Sequence, residues 1–342
     1  MTKLMKRYSR QVLFNEIGAA GQERLSAARV LLVGCGALGS SHAEMLARAG
    51  VGNLRIVDRD FVELSNLQRQ TLFSESDAHD RLPKAVAAKN RIQAINSEIN
   101  VEPIVADLNN SNIEVLLDNC DLVLDGSDNF QVRYLLNDAC VKLGKKWIYG
   151  AAVSSYGSTM TIIPGETPCL RCIFDEMPDA GSAPTCDTAG VIMPIITTVS
   201  ATQVSEALKI LVGDFDALHG SLMQFDVWAN DRQKIKLSKP DPDCLACGQR
   251  KFEFLDAEAA DFSAVLCGRD AVQIAAPRAT VLDLPDLARR LERLIDVTQN
   301  EYLVRFTTGD NTVTVFRDGR AIIQGTDDVS HARSIYAKYV GS

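Results

Sequence analysis

At 342 residues, with a hydrophobic share of 46%, the chain is long enough for one large domain with a substantial core plus a small second one. Its 36 basic and 44 acidic residues give a formal charge of −8, which argues against a general nucleic-acid binder. No apolar run reaches the roughly 18 residues of a membrane span, and the basic start Lys3, Lys6, Arg7 leads into no apolar signal core, so a cytoplasmic protein with no membrane partner is expected.

The stretch Tyr8-Ser9-Arg10-Gln11-Val12-Leu13-Phe14 precedes a predicted helix over Ala20 to Ala27. By itself Arg10 reads as a solvated surface arginine. Next comes the strand Arg29 to Val33, the turn Gly34-Cys35-Gly36-Ala37-Leu38-Gly39, a helix over Ser40 to Ala49 ending at Gly50, and the strand Asn53 to Val57 delivering Asp58. This is a nucleotide-binding βαβ fingerprint in its required context. Gly34, Gly36 and Gly39 let the backbone turn tightly and approach a phosphate, and the helix start offers N–H groups to the anion. Asp58, 19 residues past Gly39, is placed to accept hydrogen bonds from ribose hydroxyls. The alternative is a glycine turn used only for close packing. The fingerprint alone points to an NAD-dependent oxidoreductase.

The residues after Asp58 change that ligand. Arg59-Asp60-Phe61-Val62-Glu63-Leu64-Ser65-Asn66-Leu67-Gln68-Arg69-Gln70 packs a second acid, an amide and a guanidinium directly behind the ribose carboxylate. A dehydrogenase has no need of them. A site holding a triphosphate and a metal does, because arginine and asparagine bind and polarise phosphate oxygens. Pro83 suits the first turn of a helix through Ala85, Val86, Ala88, Ile92 and Ile95, which places Lys84 near a helix N-terminus, toward an anion. A surface lysine is the alternative there. Asn100 to Val105 reads as a third parallel strand, with a helix over Asn112 to Asn119. Asp121 to Asp125 reads as a fourth, nearly all apolar as a buried parallel strand should be. It ends in Gly126-Ser127-Asp128-Asn129. Ligands of open α/β sheets sit beyond the carboxyl ends of strands, so Asp128 is placed to meet Mg²⁺ on the triphosphate. The competing role is a cap on the helix Phe130 to Leu143. Asp125 reads as structural.

Lys146 to Ala152 forms another strand, and Ser158 to Pro164 starts an antiparallel section. Cys169-Leu170-Arg171-Cys172 is matched by Cys244-Leu245-Ala246-Cys247. Two Cys-x₂-Cys knuckles supply four thiolates for a closed, tetrahedral structural Zn²⁺ site. Cys172 and Cys244 stand 72 positions apart, so the metal clips remote segments together. A redox role competes, but one such pair would suffice and neither opens a thioredoxin-like unit. The nine cysteines, an odd number without a signal core, do not suggest a disulfide framework. Between the knuckles a polar loop, Phe174 to Pro184, leads to Thr185-Cys186-Asp187-Thr188-Ala189-Gly190-Val191. Cys186 is either a small packed hydrophobe or, just before a helix, a thiol with a lowered pKa.

Met193 to Leu211 is apolar almost all round and reads as a buried helix. Leu222 to Trp228 and Arg232 to Leu237 read as a hairpin. Asp256 to Asp261 is a plausible linker into a small α+β module, residues 251–342. There Pro285 opens an amphipathic helix with Leu287, Leu291, Leu294 and Ile295 on one face. Strands over Glu301 to Phe306, Asn311 to Phe316 and Ala321 to Gln324 follow, with Asp318-Gly319 as a hairpin turn, then a helix over Asp328 to Tyr339. Cys267-Gly268-Arg269 precedes this pattern and makes no cysteine-centred rhodanese loop.

Over about residues 7–248, these motifs resemble the ThiF/MoeB family, bacterial relatives of ubiquitin-activating enzymes. The motif D-x-D-x-V-x-x-S-N-x-x-R-Q, here Asp58 to Gln70, binds ATP in that family, and D-x-[ST]-D-N matches at Asp125 to Asn129. The resemblance implies an α/β, Rossmann-like sheet with an antiparallel continuation and a zinc site over residues 1–250. It implies adenylation of the C-terminal glycine of a ubiquitin-like sulfur-carrier protein ending in Gly-Gly, for thiamine or molybdopterin cofactor biosynthesis, with a sulfur donor protein as a further partner. It also implies that Asp58, Asp60, Asn66, Arg69, Gln70, Lys84 and Asp128 hold ATP and Mg²⁺, that Arg10 reaches the ATP site of a neighbouring subunit in a homodimer, and that Cys186 takes part in sulfur transfer or a covalent carrier intermediate. A nucleotide-binding scaffold without adenylation activity is the non-enzymatic rival.

Overall fold

The computed structural model describes residues 6–178, 185–257, 263–266, 270–274 and 281–341. The chain forms two compact units, residues 1–257 and 258–342.

The first unit is built on an eight-stranded sheet. Its strands are β1 (Arg29–Val33), β2 (Asn53–Asp58), β3 (Asn100–Val105), β4 (Leu122–Asp125), β5 (Trp147–Val153), β6 (Tyr156–Ile162), β7 (Ser221–Asp226) and β8 (Asp231–Lys236), in the order β3-β2-β1-β4-β5-β6-β7-β8. The strands from β3 to β5 run parallel, and β6 to β8 continue antiparallel. Period-two alternation sorts the parallel strands onto two apolar faces. Val30 and Leu32 join the core beneath helices Ala37–Ala49, Lys84–Ile95 and Met193–Val212. Leu31 and Val33 join the opposite core, beneath helix Phe130–Leu143 and the four knuckle cysteines. Chain order reverses between β1 and β4, which opens a crevice at their carboxyl ends, where such sheets bind ligands.

Helix Met193–Val212 is long and apolar enough to cross a membrane, but 56% of that window is buried inside the fold. It packs on helix Ala37–Ala49 and on β5 and β6. Its burial is not all round, because Thr197, Ala201 and Ser205 form an exposed stripe at i, i+4 spacing.

The second unit is a six-stranded antiparallel sheet. Its strands are β9 (Ser263–Leu266), β10 (Ala271–Ile274), β11 (Val297–Gln299), β12 (Leu303–Thr308), β13 (Asn311–Phe316) and β14 (Ala321–Gln324), in the order β11-β12-β13-β14-β10-β9. Helices Leu284–Leu291 and Val329–Tyr339 pack on it through Leu287, Ala332 and Ile335. Gly319, at φ 82°, turns β13 into β14 as the Asp318-Gly319 pair predicts. The sequence reading found three of these strands. The other three, β9 to β11, have four residues or fewer and carry too little alternation to be legible. The predicted helical face also ran too far: the helix stops at Leu291 and leaves Leu294 74% exposed. Asp256 closes a short helix, Glu253–Asp256. Residues 258–261 of the linker read there, Cys267-Gly268-Arg269 and residues 179–184 of the polar loop lie outside the described residues.

Candidate active site

Three glycines set the crevice. A Cβ on Gly39 would lie 1.9 Å from the Gly34 carbonyl oxygen, and one on Gly126 would lie 2.8 Å from Gly39 Cα. Gly34 has φ +83°, which L side chains rarely adopt. The turn, the first helical turn and the end of β4 therefore touch backbone to backbone. Gly36 differs: among the described residues, the one neighbour a Cβ would meet is the Gln70 amide nitrogen, at 4.0 Å, so its bare backbone faces open space.

Asp58 ends β2 beside that turn and is buried. Its two carboxylate oxygens accept the N–H groups of Cys35 at 2.6 Å and Asp60 at 2.7 Å. Burial pushes this carboxyl above the usual range, while the Lys84 ammonium and the two N–H donors oppose the shift. The 3-10 turn Leu64–Asn66 holds the following motif, with Asn66 Oδ1 accepting the Glu63 N–H at 3.1 Å. Asn66 and Gln70 are buried, and Arg69 is half-buried with Nη1 donating to the Ser65 carbonyl at 2.9 Å. Pro83 sits one residue earlier than the first turn, at the N-cap, so Lys84 opens helix Lys84–Ile95. Lys84 is only 3% exposed, with Nζ 3.1 Å from Asp60 Oδ2. Arg59 lies among Asp107, Asp60, Asp128 and Asp58. One charged cluster thus joins the ends of β2, β3 and β4 with the start of that helix.

At the end of β4 the two acids differ sharply. Asp125 is fully buried, accepts from Ser127 N at 2.9 Å and Ser127 Oγ at 2.6 Å, and pairs with buried Arg133 Nε at 3.2 Å. Asp128 is exposed. The helix cap is Asn129, whose Oδ1 accepts from Gln131 N at 2.8 Å and Val132 N at 3.4 Å. Asp128 is therefore not spent on capping. Arg133 Nη2 also donates to the Ser127 and Gly150 carbonyls, at 2.7 and 3.1 Å, and its guanidinium sits against the Phe130 and Tyr149 rings. A small cleft opens beside it, lined among others by Phe130, Arg133, Tyr149, Phe174 and Glu176.

The two knuckles meet one turn further along the same helix, beside Asn137. Sγ–Sγ separations are 3.8 Å for Cys169–Cys172, 3.6 Å for Cys169–Cys244 and 3.3 Å for Cys172–Cys247. All four sulfurs lie within 4.8 Å of one another. Tetrahedral zinc with bonds of about 2.3 Å would space its sulfurs about 3.8 Å apart, so the donor set fits that metal. Hydrogen bonding from Cys169 lowers the Cys172 thiol's pKa, and burial raises that of Cys247.

The ThiF family profile matches residues 8–246. The chain is 45% identical over 337 residues to the sulfur carrier protein ThiS adenylyltransferase of Bacillus subtilis (strain 168), covering 98% of this chain and 99% of that one. The chain belongs to the ThiF family. A second protein of similar sequence is the sulfur carrier protein adenylyltransferase of Thermus thermophilus, 38% identical over 75% of this chain and 96% of its own length. The SAMP-activating enzyme E1 of Haloferax volcanii is 39% identical over 72% of this chain and 89% of its own. Among solved structures, Escherichia coli MccB with ATP shares the fold, with a TM-score of 0.63 at 23% identity, over 71% of this chain and 74% of that chain.

Against that family background, two predicted site residues stand apart from the crevice cluster. Arg10 is exposed on the short helix Ser9–Val12. Cys186 is the half-buried first residue of helix Cys186–Ala189, capped by Thr185, with Sγ 3.4 Å from the Ala152 carbonyl at the end of β5. Sequence reasoning missed Arg133 and Gln203. Gln203 Nε2 donates to the Asp125 and Ile148 carbonyls at 3.0 and 3.2 Å, and its Oε1 pairs with buried His42 at 2.8 Å, whose pKa burial lowers to about 4. The available signal for Arg133 was a charged residue inside an apolar helical stretch, Val132 to Leu136; Gln203, among Ser200, Thr202, Ser205 and Glu206, carried no such signal.

Proposed function

We propose that this ThiF-family protein uses ATP to adenylate the C-terminal glycine of a ubiquitin-like sulfur-carrier protein ending in Gly-Gly. The observation that carries this reading is the convergence of Asp58, Asp60, Lys84 and Asp128 around a bare glycine turn. That constellation serves a triphosphate and leaves an NAD-only site unexplained. A scaffold that merely binds nucleotide would not account for family names that specify adenylyltransferase.

In this mechanism the carrier carboxylate, already ionised near neutral pH, attacks the α-phosphorus of ATP. The bond to the β-phosphate oxygen breaks, pyrophosphate leaves and an acyl-adenylate remains. No general base is needed; catalysis is positioning and charge stabilisation. Asp58 holds the ribose. Asn66, with Oδ1 engaged internally, offers its amide N–H groups to phosphate. Arg69 and Lys84 draw charge from the phosphate oxygens, and Lys84 turns from Asp60 toward them. Gln70, against the glycine turn, closes the site behind Gly36. Asp128 would hold Mg²⁺, which would supply charge neutralisation for the leaving pyrophosphate. Arg10 completes the site from the neighbouring subunit of a homodimer.

Zinc at Cys169, Cys172, Cys244 and Cys247 is structural here, closing remote segments together. Cys186 acts after adenylation, in passing sulfur from a donor protein to the carrier. The adenylation domain is followed by the C-terminal module, which orients a partner, and the protein works in the cytoplasm, in thiamine or molybdopterin cofactor biosynthesis. The test is ATP–pyrophosphate exchange with candidate carriers. Exchange that depends on a carrier with an intact Gly-Gly end is expected. ATP binding without exchange for any such carrier would favour the scaffold reading.

A further inference from the structure

Helix Phe130–Leu143 has the candidate nucleotide site at its N-terminus and the cysteine knuckles on its flank. Asn137, two turns along and fully buried, spends both ends of its carboxamide on the first knuckle. Its Oδ1 accepts the Leu170 N–H at 2.9 Å, and its Nδ2 lies 3.8 Å from Cys169 Sγ. Among the described residues it is the one side-chain nitrogen hydrogen-bonded to a knuckle sulfur. The residues around it fasten the same helix to the segments flanking the knuckles. Tyr134 Oη donates to the Phe174 and Glu176 carbonyls at 2.9 and 2.7 Å, and Asp138 Oδ2 accepts the Phe254 N–H at 3.0 Å.

Tyr134, whose ring also packs on Phe254, and Asp138, which also meets the Asn137 side chain, touch no knuckle sulfur, and packing explains their contacts. Asn137 reaches a sulfur. A thiolate in a closed four-sulfur set carries more negative charge than the metal neutralises, and a buried amide N–H aimed at it offsets part of that excess. The Oδ1 contact fixes the carboxamide so that its donor end, rather than its acceptor end, meets the sulfur. We propose that Asn137 is a positioning residue for the metal: it donates to the Cys169 thiolate, sets that ligand's orientation, and registers the zinc site on the helix that presents Asp128. This role rests on reading the four thiolates as a zinc site.

Zinc content of the parent protein is measured first; a parent without zinc has no ligand set for Asn137 to position and ends this inference together with the zinc reading. With zinc present, Asn137→Ala should release it to a chromogenic chelator about tenfold faster or more. Its cobalt form should show the thiolate-to-metal band at longer wavelength. Asn137→Asp keeps the acceptor for Leu170 but sets a carboxylate against the sulfur, and should lose metal faster still. Release within twofold of the parent and an unmoved cobalt band in both variants would overturn the proposal while leaving the zinc site standing. If neither variant folds, the parent decides. Loaded with an NMR-active cadmium isotope, it should show scalar coupling between the metal and the Asn137 amide protons, and absence of that coupling would overturn the proposal.

Discussion

Replacing Arg133 with methionine keeps an apolar stem between the Phe130 and Tyr149 rings but removes the partner of a carboxylate that has no access to water. Asp125 and Arg133 side chains are 0% and 6% exposed, 3.2 Å apart. Breaking such a pair costs about 3–5 kcal/mol, because the remaining charge is buried without compensation. Against a typical total of about 5–15 kcal/mol, that is a large share, and it should lower the urea midpoint by about 1–2 M. Trp147, fully buried where β5 pairs with β4, reports the transition by its fluorescence. The loss has a signed pH dependence. Burial already pushes the Asp125 carboxyl up, and Arg133 is the largest influence pulling it down. Without Arg133 the folded state holds a proton on Asp125 more readily than the unfolded state does, so variant stability rises as pH falls. The gap to the parent should narrow by at most about 1.4 kcal/mol per pH unit. A loss below about 1 kcal/mol, or a gap that widens on acidification, would refute the argument.

Three other outcomes follow from the site. Cys169→Ser should lose zinc and stability together, and intact zinc content in that variant would contradict the four-thiolate site. Arg10→Ala and Asp128→Ala, each inactive alone, should regain exchange activity when mixed, through one intact hybrid site; heterodimers without activity would return Arg10 to the surface. Cys186→Ala should keep carrier-dependent pyrophosphate exchange within a few-fold yet fail to pass sulfur onward. Unimpaired transfer would leave Cys186 a packed thiol, and lost exchange would place it in support of the ATP site.

What was legible in the sequence is what is local. Strand β1, the glycine turn and Asp58 form one continuous stretch whose alternation and spacing identify it. The knuckles are legible at a distance because thiolate pairs at that spacing have few other uses. What lay hidden depends on tertiary contact. Nothing near Arg133 in the chain reveals that its partner is Asp125, eight residues back on a strand end. Nothing near Asn137 points to Cys169 across more than thirty residues. The sequence offered Asp128 as a cap on helix Phe130–Leu143; the backbone geometry gives that place to Asn129 and leaves the acid exposed. Very short strands such as β11 are fixed by pairing rather than by propensity.

The most direct test of the account is the fate of labelled phosphate. Protein, Mg²⁺ and a Gly-Gly carrier are incubated with ATP labelled at either the α- or the γ-phosphate, with pyrophosphatase to draw the reaction forward. Label from the α-phosphate should appear on the carrier's C terminus, none should come from the γ-phosphate, and Asp128→Ala should abolish the transfer. No α-label on any such carrier, or transfer of the γ-label instead, would contradict adenylation as this protein's reaction.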